Sequence, residues 1–359
     1  MNKICFIAIV LTSIACFSCV HAINKSDILT ERIDSLLITN PDKPFNGIIL
    51  ITKKGGETIY SKVSGYSDLD KKTPLQIDDQ FVVGSISKQF TAVIVLREYD
   101  KGRLDLHIPI KTYLPDLTES WADTVTAHHL LTHTHGIMSL DKPTAFPVGT
   151  QYSYSQIGYD LLASIVEKTS GKSFIELSAG LFEQCDMNDT FHPELKVYKN
   201  LVKGYLENED GILEYTDESL SQHPTSPAFE GLTMYPAAGM FISTAEDLSL
   251  WNKNLIGGEL LKENTFRLMV SKHENAIRNH SLFGHIAFGY GITIDDKDEI
   301  MQWGQTGYIP GFVSMDFYFP ESSMNVIVLE NINYDVSEIK KTFYYHTQIL
   351  NLVRDELLK

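Results

Sequence analysis

Ser85 and Ser87 both stand close to Lys88 in the stretch Phe81-Val-Val-Gly-Ser-Ile-Ser-Lys-Gln-Phe-Thr-Ala92. A hydroxyl beside an amine can carry out acyl transfer when the amine loses its proton, and burial favours the neutral form of lysine. Spacing alone says little, because the chain holds three Ser-x-x-Lys tetrads. Ser139 to Lys142 ends beside Pro143, where a helix is disfavoured, so the two side chains need not share a face. Ser337 to Lys340 opens a C-terminal helical pattern, where Ser337 suits a cap beside a solvated lysine. The tetrad at 85 differs in context, since it follows an apolar run and Gly84 and leads into a segment apolar on nearly every side. A spacing of three puts Ser85 and Lys88 on one helical face, whereas Ser87 and Lys88 point about 100° apart. Ser85 is therefore the candidate nucleophile. Backbone N–H groups and the positive dipole end at a helix N-terminus can also stabilise an oxyanion. A serine cap beside a partly buried lysine accounts for this stretch equally well on its own.

These residues need elements to hold them. Phe45 to Ser61 reads as a hairpin, with Gly47-Ile-Ile-Leu-Ile-Thr turning at Lys-Lys-Gly-Gly into Glu57-Thr-Ile-Tyr. From Ser85 to about Tyr99 the pattern predicts a helix buried between layers. Between roughly 100 and 240, helical stretches are broken by Pro and Gly, as at Tyr159 to Thr169 with Ser170-Gly171 closing it. Strand signals return at Gly289-Tyr-Gly-Ile-Thr-Ile, Gly311 to Phe319 and Met324 to Glu330, and a last helix spans about Ser337 to Leu358. Strands at both ends with helices between them predict an α/β (α+β) fold. One antiparallel sheet is built from both termini and flanked by helices, and a mainly helical lobe is inserted. The sheet lobe takes in about 27–95 and 285–359, the helical lobe about 96–284, and a site belongs in the cleft between them.

Composition narrows the partners. The chain has 359 residues, 43% of them hydrophobic, and a formal charge of −16, with no Lys/Arg-rich run. Nucleic acid and anionic membrane surfaces are thereby disfavoured, and a small-molecule or peptide substrate is favoured. Lys3, the apolar run Ile4 to Val20 and the small-residue pattern Val20-His21-Ala22 read as a signal peptide, residues 1–22, ahead of a single domain at 23–359. Lipidation at Cys16 or Cys19 is the rival reading, although neither has Leu three residues before it. Export to the periplasm or medium is expected. Cys185 alone then remains, so no internal disulfide forms, and no further apolar stretch has membrane-spanning length.

From Phe45 to Leu352 the chain resembles the serine beta-lactamase and penicillin-binding protein superfamily, in its class C beta-lactamase, D,D-peptidase and esterase branch. Besides the Ser85 tetrad, Lys101-Gly-Arg-Leu-Asp-Leu106, Tyr113-Leu-Pro115, Leu130-Leu-Thr-His-Thr-His-Gly136 and Gly239 to Leu248 resemble family segments. His135 replaces a serine in the third of these. The resemblance implies a beta-lactamase-like fold and an acyl-enzyme on Ser85. The family's Tyr-x-Asn motif falls on Tyr154-Ser-Gln156. By resemblance Tyr154 exchanges protons with the Ser85 oxygen, the leaving group and the deacylating water. That role calls for a phenol whose pKa is lowered by a nearby cation, with Lys88 as its source. Gln156 puts the amide on a stem one methylene longer, still able to reach Lys88 and an acyl carbonyl. The third motif, Lys-Thr-Gly or His-x-Gly in relatives, falls on Gln305-Thr306-Gly307 and lacks its cation. By resemblance Gly307 keeps the strand open, and the N–H of Tyr308 pairs with that of Ser85 as an oxyanion hole. Losing a charged partner for a substrate carboxylate forfeits about 1.5 to 3 kcal/mol. The replacement thus disfavours lactam hydrolysis and D-Ala-D-Ala cleavage more than acyl transfer itself.

Two other classes compete. His128, His129, His133 and His135 could suggest zinc, because His129 and His133 have i,i+4 spacing and His133-Thr-His135 opens a metallo-hydrolase pattern. The Asp-His half of that pattern is absent, so neither a metal nor any other cofactor is expected. A penicillin-sensing protein of the same fold, acylated once and slow to turn over, is the alternative reading. Ser85, Lys88 and Tyr154 together favour turnover on an amide or ester, whether a D-amino-acid peptide from peptidoglycan, a beta-lactam or a small ester.

Overall fold

A computed structural model describes residues 25–195, 198–216, 236–335 and 337–358. The expected leader at 1–22 lies outside the described residues. An eight-stranded antiparallel sheet dominates. We number its strands β1 (Gly47–Lys53), β2 (Glu57–Ser64), β3 (Ile277–His280), β4 (Gly284–Phe288), β5 (Thr293–Asp295), β6 (Gln302–Ile309), β7 (Phe312–Phe319) and β8 (Met324–Glu330). Their spatial order is β2-β1-β8-β7-β6-β5-β4-β3. The N-terminal hairpin therefore docks on the C-terminal strands, in a register that sets Gly47 opposite Glu330 and Thr52 opposite Asn325. β7 and β8 are buried along their whole length, as their runs Phe-Val-Ser-Met-Asp-Phe-Tyr-Phe and Met-Asn-Val-Ile-Val-Leu-Glu require of strands covered on both faces.

One face of the sheet is covered by α1 (Lys25–Leu37) and the C-terminal helix Tyr344–Leu357. There Leu29, Ile33, Ile349 and Val353 pack with Met315, Phe317 and Val326. The other face carries the larger core, in which Ile48, Leu50, Ile327 and Leu329 meet Phe90, Val93 and the helical region behind them. That region includes α2 (Ser87–Asp100), α3 (Ala127–Leu131), α4 (Ile157–Ser170), α5 (Phe174–Gln184) and Ala245–Ile256. Capping boxes start two of these helices, Thr126 with His129 and Ser173 with Glu176. α2 is buried on every side, with Ser87, Lys88 and Gln89 inside along with its apolar residues.

Three local features differ from the sequence expectation. The last helix breaks at Phe343 into Ile339–Thr342 and Tyr344–Leu357, and Ser337 lies ahead of it rather than capping it. Gly289 to Ile292 is not strand but a tight turn between β4 and β5, closed by Gly289 N–H donating to Ile292 O at 2.8 Å. β3 belongs to the sheet although the sequence partition places 277–280 in the helical lobe. It is a short edge strand paired only with β4, so its Ile-Arg-Asn-His carries no apolar alternation to reveal it. Among the described residues, no helix is long and apolar enough to cross a membrane.

Candidate active site

The turn Gly84–Ile86 delivers Ser85 at the start of α2, and β6 passes directly beside it. The approach is so close that a Cβ on Gly84 would stand 2.7 Å from Tyr308 N, and one on Gly307 would stand 2.2 Å from both Val83 O and Ser314 Oγ. Gly84 also has φ of 55°, a conformation natural to glycine. Ser314 Oγ, on the neighbouring strand β7, donates to Val83 O at 2.8 Å and ties the turn to the sheet. Pairing between β5 and β6 stops at Gly304, so the strand passes Ser85 beyond the end of that ladder. Tyr308 N thus lies next to the turn that carries Ser85.

Lys88 sits one helical turn along, fully buried. Its Nζ is 3.3 Å from Ser85 Oγ, 2.6 Å from Gln156 Oε1 and 2.6 Å from Ala238 O. A neutral amine has two N–H groups and one lone pair, which fits this set: the two carbonyls accept, and the lone pair faces the Ser85 hydroxyl. Desolvation pushes the Lys88 pKa well below its ordinary value, and the positive charge of Arg278 adds to the effect. Among the described residues, no carboxylate is paired with it. Lys88 also lies over the rings of Tyr154 and Tyr159, at 4.6 and 5.4 Å from their centroids.

Tyr154 Oη is 2.7 Å from Ser85 Oγ. Its surroundings correct one expectation. Desolvation raises the phenol pKa, and the effects that oppose it come from Arg278 and the hydrogen bond to Ser85, not from Lys88. Burial thus favours the neutral phenol of Tyr154, suited to donate a proton, and the neutral amine of Lys88.

The loop bearing Tyr154 is clamped by His133, a buried residue with φ of 60°. Its carbonyl accepts from Ser153 N at 2.8 Å and its Nδ1 accepts from Ser155 N at 3.2 Å. The ring centroid lies 4.5 Å from that of Tyr154. Desolvation, followed by Lys88, His135 and Arg278, keeps this imidazole neutral. His135 is buried too, its Nδ1 accepting from Ile137 N at 2.9 Å and its ring set against Gly158. His128 bonds through Nδ1 with the Tyr290 hydroxyl at 2.9 Å. Among the described residues, no group of three or more His, Cys, Asp or Glu is arranged to hold a metal ion.

Ser85, Lys88, Tyr154 and Gln156 are therefore brought together, with Gly307 and Tyr308 alongside. Ser87 is a packing residue whose Oγ accepts from Phe241 N at 3.2 Å, which docks α2 on the segment after Ala238. Gln305 is not brought into the group. It is buried, and its Oε1 accepts from Thr293 Oγ1 at 3.3 Å and from Thr306 N at 3.2 Å, so the side chain is turned along the sheet. Thr306 is half-buried on the opposite face of β6, where strand alternation must place it. The sequence reading missed Arg278 on β3, whose guanidinium carbon lies 4.8 Å from the Tyr154 ring centroid. Only the fold joins them, since nothing in the spacing of 154 and 278 signals a contact.

The beta-lactamase family model matches residues 34–350. Penicillin-binding protein 4* of Bacillus subtilis is 30% identical over 188 residues, which cover 45% of this chain and 41% of that protein, so the match spans less than half of the relative's length. The octameric penicillin-binding protein homologue from Pyrococcus abyssi superposes with a TM-score of 0.72 at 25% identity, covering 90% of this chain and 77% of that one. The D-amino acid amidase from Ochrobactrum anthropi SV3, solved with L-phenylalanine amide, gives a TM-score of 0.75 at 20% identity over 91% of this chain and 99% of its own, a likeness of fold.

Proposed function

The chain belongs to the beta-lactamase family of serine hydrolases, and on that premise we propose that it hydrolyses amide or ester bonds through an acyl-enzyme on Ser85. The observation that carries the reading is the placement of Ser85 Oγ between Tyr154 Oη, at 2.7 Å, and Lys88 Nζ, at 3.3 Å. Neutral Lys88 takes the Ser85 proton as the oxygen attacks the carbonyl carbon, and the N–H groups of Ser85 and Tyr308 hold the oxyanion. Tyr154 donates its proton to the leaving nitrogen or oxygen as the intermediate collapses, and is restored by the proton that Lys88 took from Ser85. A water then enters, Tyr154 and Lys88 reverse their roles, and the acid is released with Ser85 reprotonated. Gln156 Oε1 keeps Lys88 directed at Ser85.

A small amide or ester is the favoured substrate, with amides of amino acids at the head of the class because of the fold shared with the D-amino acid amidase. The relation to penicillin-binding proteins supports export, with residues 1–22 as its signal, and a peptide substrate from peptidoglycan. A screen of D- and L-amino-acid amides, D-Ala peptides, neutral esters and a chromogenic cephalosporin tests the reading. At least one class should be turned over by the mature protein and by none of the Ser85→Ala variant. Turnover surviving in Ser85→Ala removes Ser85 from the chemistry. Stoichiometric acylation without turnover favours the sensing alternative.

A further inference from the structure

Arg278 is the unexplained group at the site. It is half-buried on edge strand β3, and its guanidinium lies over the Tyr154 ring, 4.8 Å from the centroid, on a phenol whose hydroxyl touches Ser85. Among the described residues it has no hydrogen-bond or ion-pair partner, in a chain carrying 46 acidic against 30 basic residues. Of the other arginines, those at 32, 103, 267 and 354 have an Asp or Glu at the guanidinium, and Arg97 donates to Gln184 Oε1. Among the described residues, the other charge-bearing side chain that touches Ser85 is Lys88, and its burial favours the neutral form. The position where relatives of the family place a cation, Gln305, is neutral and turned away along the sheet. Among the described residues, the cation without a carboxylate partner beside Tyr154 is thus carried by β3 rather than β6.

We infer that Arg278 is the specificity-determining residue of this site and recognises an anionic group, a carboxylate in the first instance, on the substrate bound to Ser85. This rests on the serine hydrolase reading above. A planar guanidinium held by an aromatic face presents its unpaired N–H groups outward, the arrangement suited to bidentate capture of a carboxylate. Its place beside Tyr154 puts the anion on the side of Ser85 from which the proton reaches the leaving group. The charge therefore belongs on the leaving-group half of the substrate. The expectation that the loss of a cation at 305 disfavours acidic substrates is reversed by a cation from another strand.

The test uses two esters that differ only in the leaving group, one bearing a carboxylate and the other its neutral carboxamide, assayed on the wild type, Arg278→Gln, Arg278→Lys and Arg278→Glu. The wild type should favour the anionic ester in kcat/KM. Arg278→Gln should lose roughly tenfold to a hundredfold more on it than on the neutral ester, a ratio from which any shared effect of the lost charge on Lys88 and Tyr154 cancels. Arg278→Lys should keep part of the preference, and Arg278→Glu should invert it. An equal loss on both esters, or an unchanged ratio, overturns the inference, the first by assigning Arg278 to the support of Tyr154 alone. Ser85-dependent turnover of the neutral ester establishes the hydrolase reading separately. If neither ester shows Ser85-dependent turnover, both readings fall together. Melting temperatures of all four proteins identify a variant that loses activity by unfolding, and Arg278→Lys carries the test if Arg278→Gln does.

Discussion

Lys88 Nζ stands 2.6 Å from Gln156 Oε1, closer than it stands to the serine it would deprotonate. The amide that replaces the family's asparagine therefore reaches the lysine despite its longer stem, because it sits at the residue that opens α4 rather than within the helix. Gln156→Leu removes this acceptor and leaves one N–H of the buried amine unpaired, with Ala238 O still in place, an omission that costs about 1 to 3 kcal/mol. kcat/KM on a neutral ester should fall roughly tenfold to a hundredfold, while Gln156→Asn should stay within about tenfold of wild type. Comparable rates for Leu and wild type would show that the amide does not hold Lys88.

The pH profile follows from burial. Lys88 has its pKa depressed, by desolvation first and Arg278 second, so it reaches the basic form as pH rises through a value well below that of a free lysine. kcat/KM should rise on the acid side and reach its plateau at a pH below that at which a free lysine titrates. Lys88→Arg should be inactive at all pH values, since a guanidinium keeps its proton. An acid limb that persists unchanged in a Lys88 variant with residual activity assigns it to another group.

His133 acts on Tyr154 through the backbone as well as the ring. His133→Phe keeps an aromatic ring but leaves the Ser155 amide without its acceptor, which costs about 1 to 3 kcal/mol of stability. kcat should drop, with KM little changed, because the phenol loses its fixed place beside Ser85. Thermal melts and steady-state kinetics read the two effects, and a variant as stable and active as wild type contradicts the clamp.

Asp316, opposite Gln305 across β6 and β7, is wholly buried, and this pushes its carboxyl up to about 7. A carboxyl held above its unfolded value of about 3.9 stabilises the fold below that value and loses the contribution as pH rises toward 7. From pH 5 to 7 the stability of wild type should decline relative to Asp316→Asn by up to about 1.4 kcal/mol per pH unit. Urea midpoints across that range give the comparison, and parallel curves rule the titration out.

The sheet and the buried helix were legible because their signals are local. The hydrophobic runs of Gly47–Lys53, Phe312–Phe319 and Met324–Glu330 admit little but covered strands, and the all-round apolar pattern after Ser85 admits little but an enclosed helix. The Ser85–Lys88 pair was legible from helical spacing. Tyr154 and Gln156 rested on resemblance, since no period links residue 88 to residue 154. Arg278 and His133 were hidden for a physical reason. The first lies on a polar edge strand without alternation, and the second acts through a carbonyl and a ring nitrogen that no motif records. The state of Tyr154 was misjudged because burial, which outweighs the neighbouring charge, does not show in a short polar motif.

The central claim is that Ser85 is the nucleophile and that Lys88 and Tyr154 serve it. Intact-mass and peptide mapping after exposure to a fluorophosphonate or a penicillin tests this most directly. The account predicts a single adduct on the peptide carrying Ser85, slowed in Lys88→Arg and Tyr154→Phe and absent in Ser85→Ala. An adduct of equal extent in Ser85→Ala, or one mapped to Ser87, would contradict it.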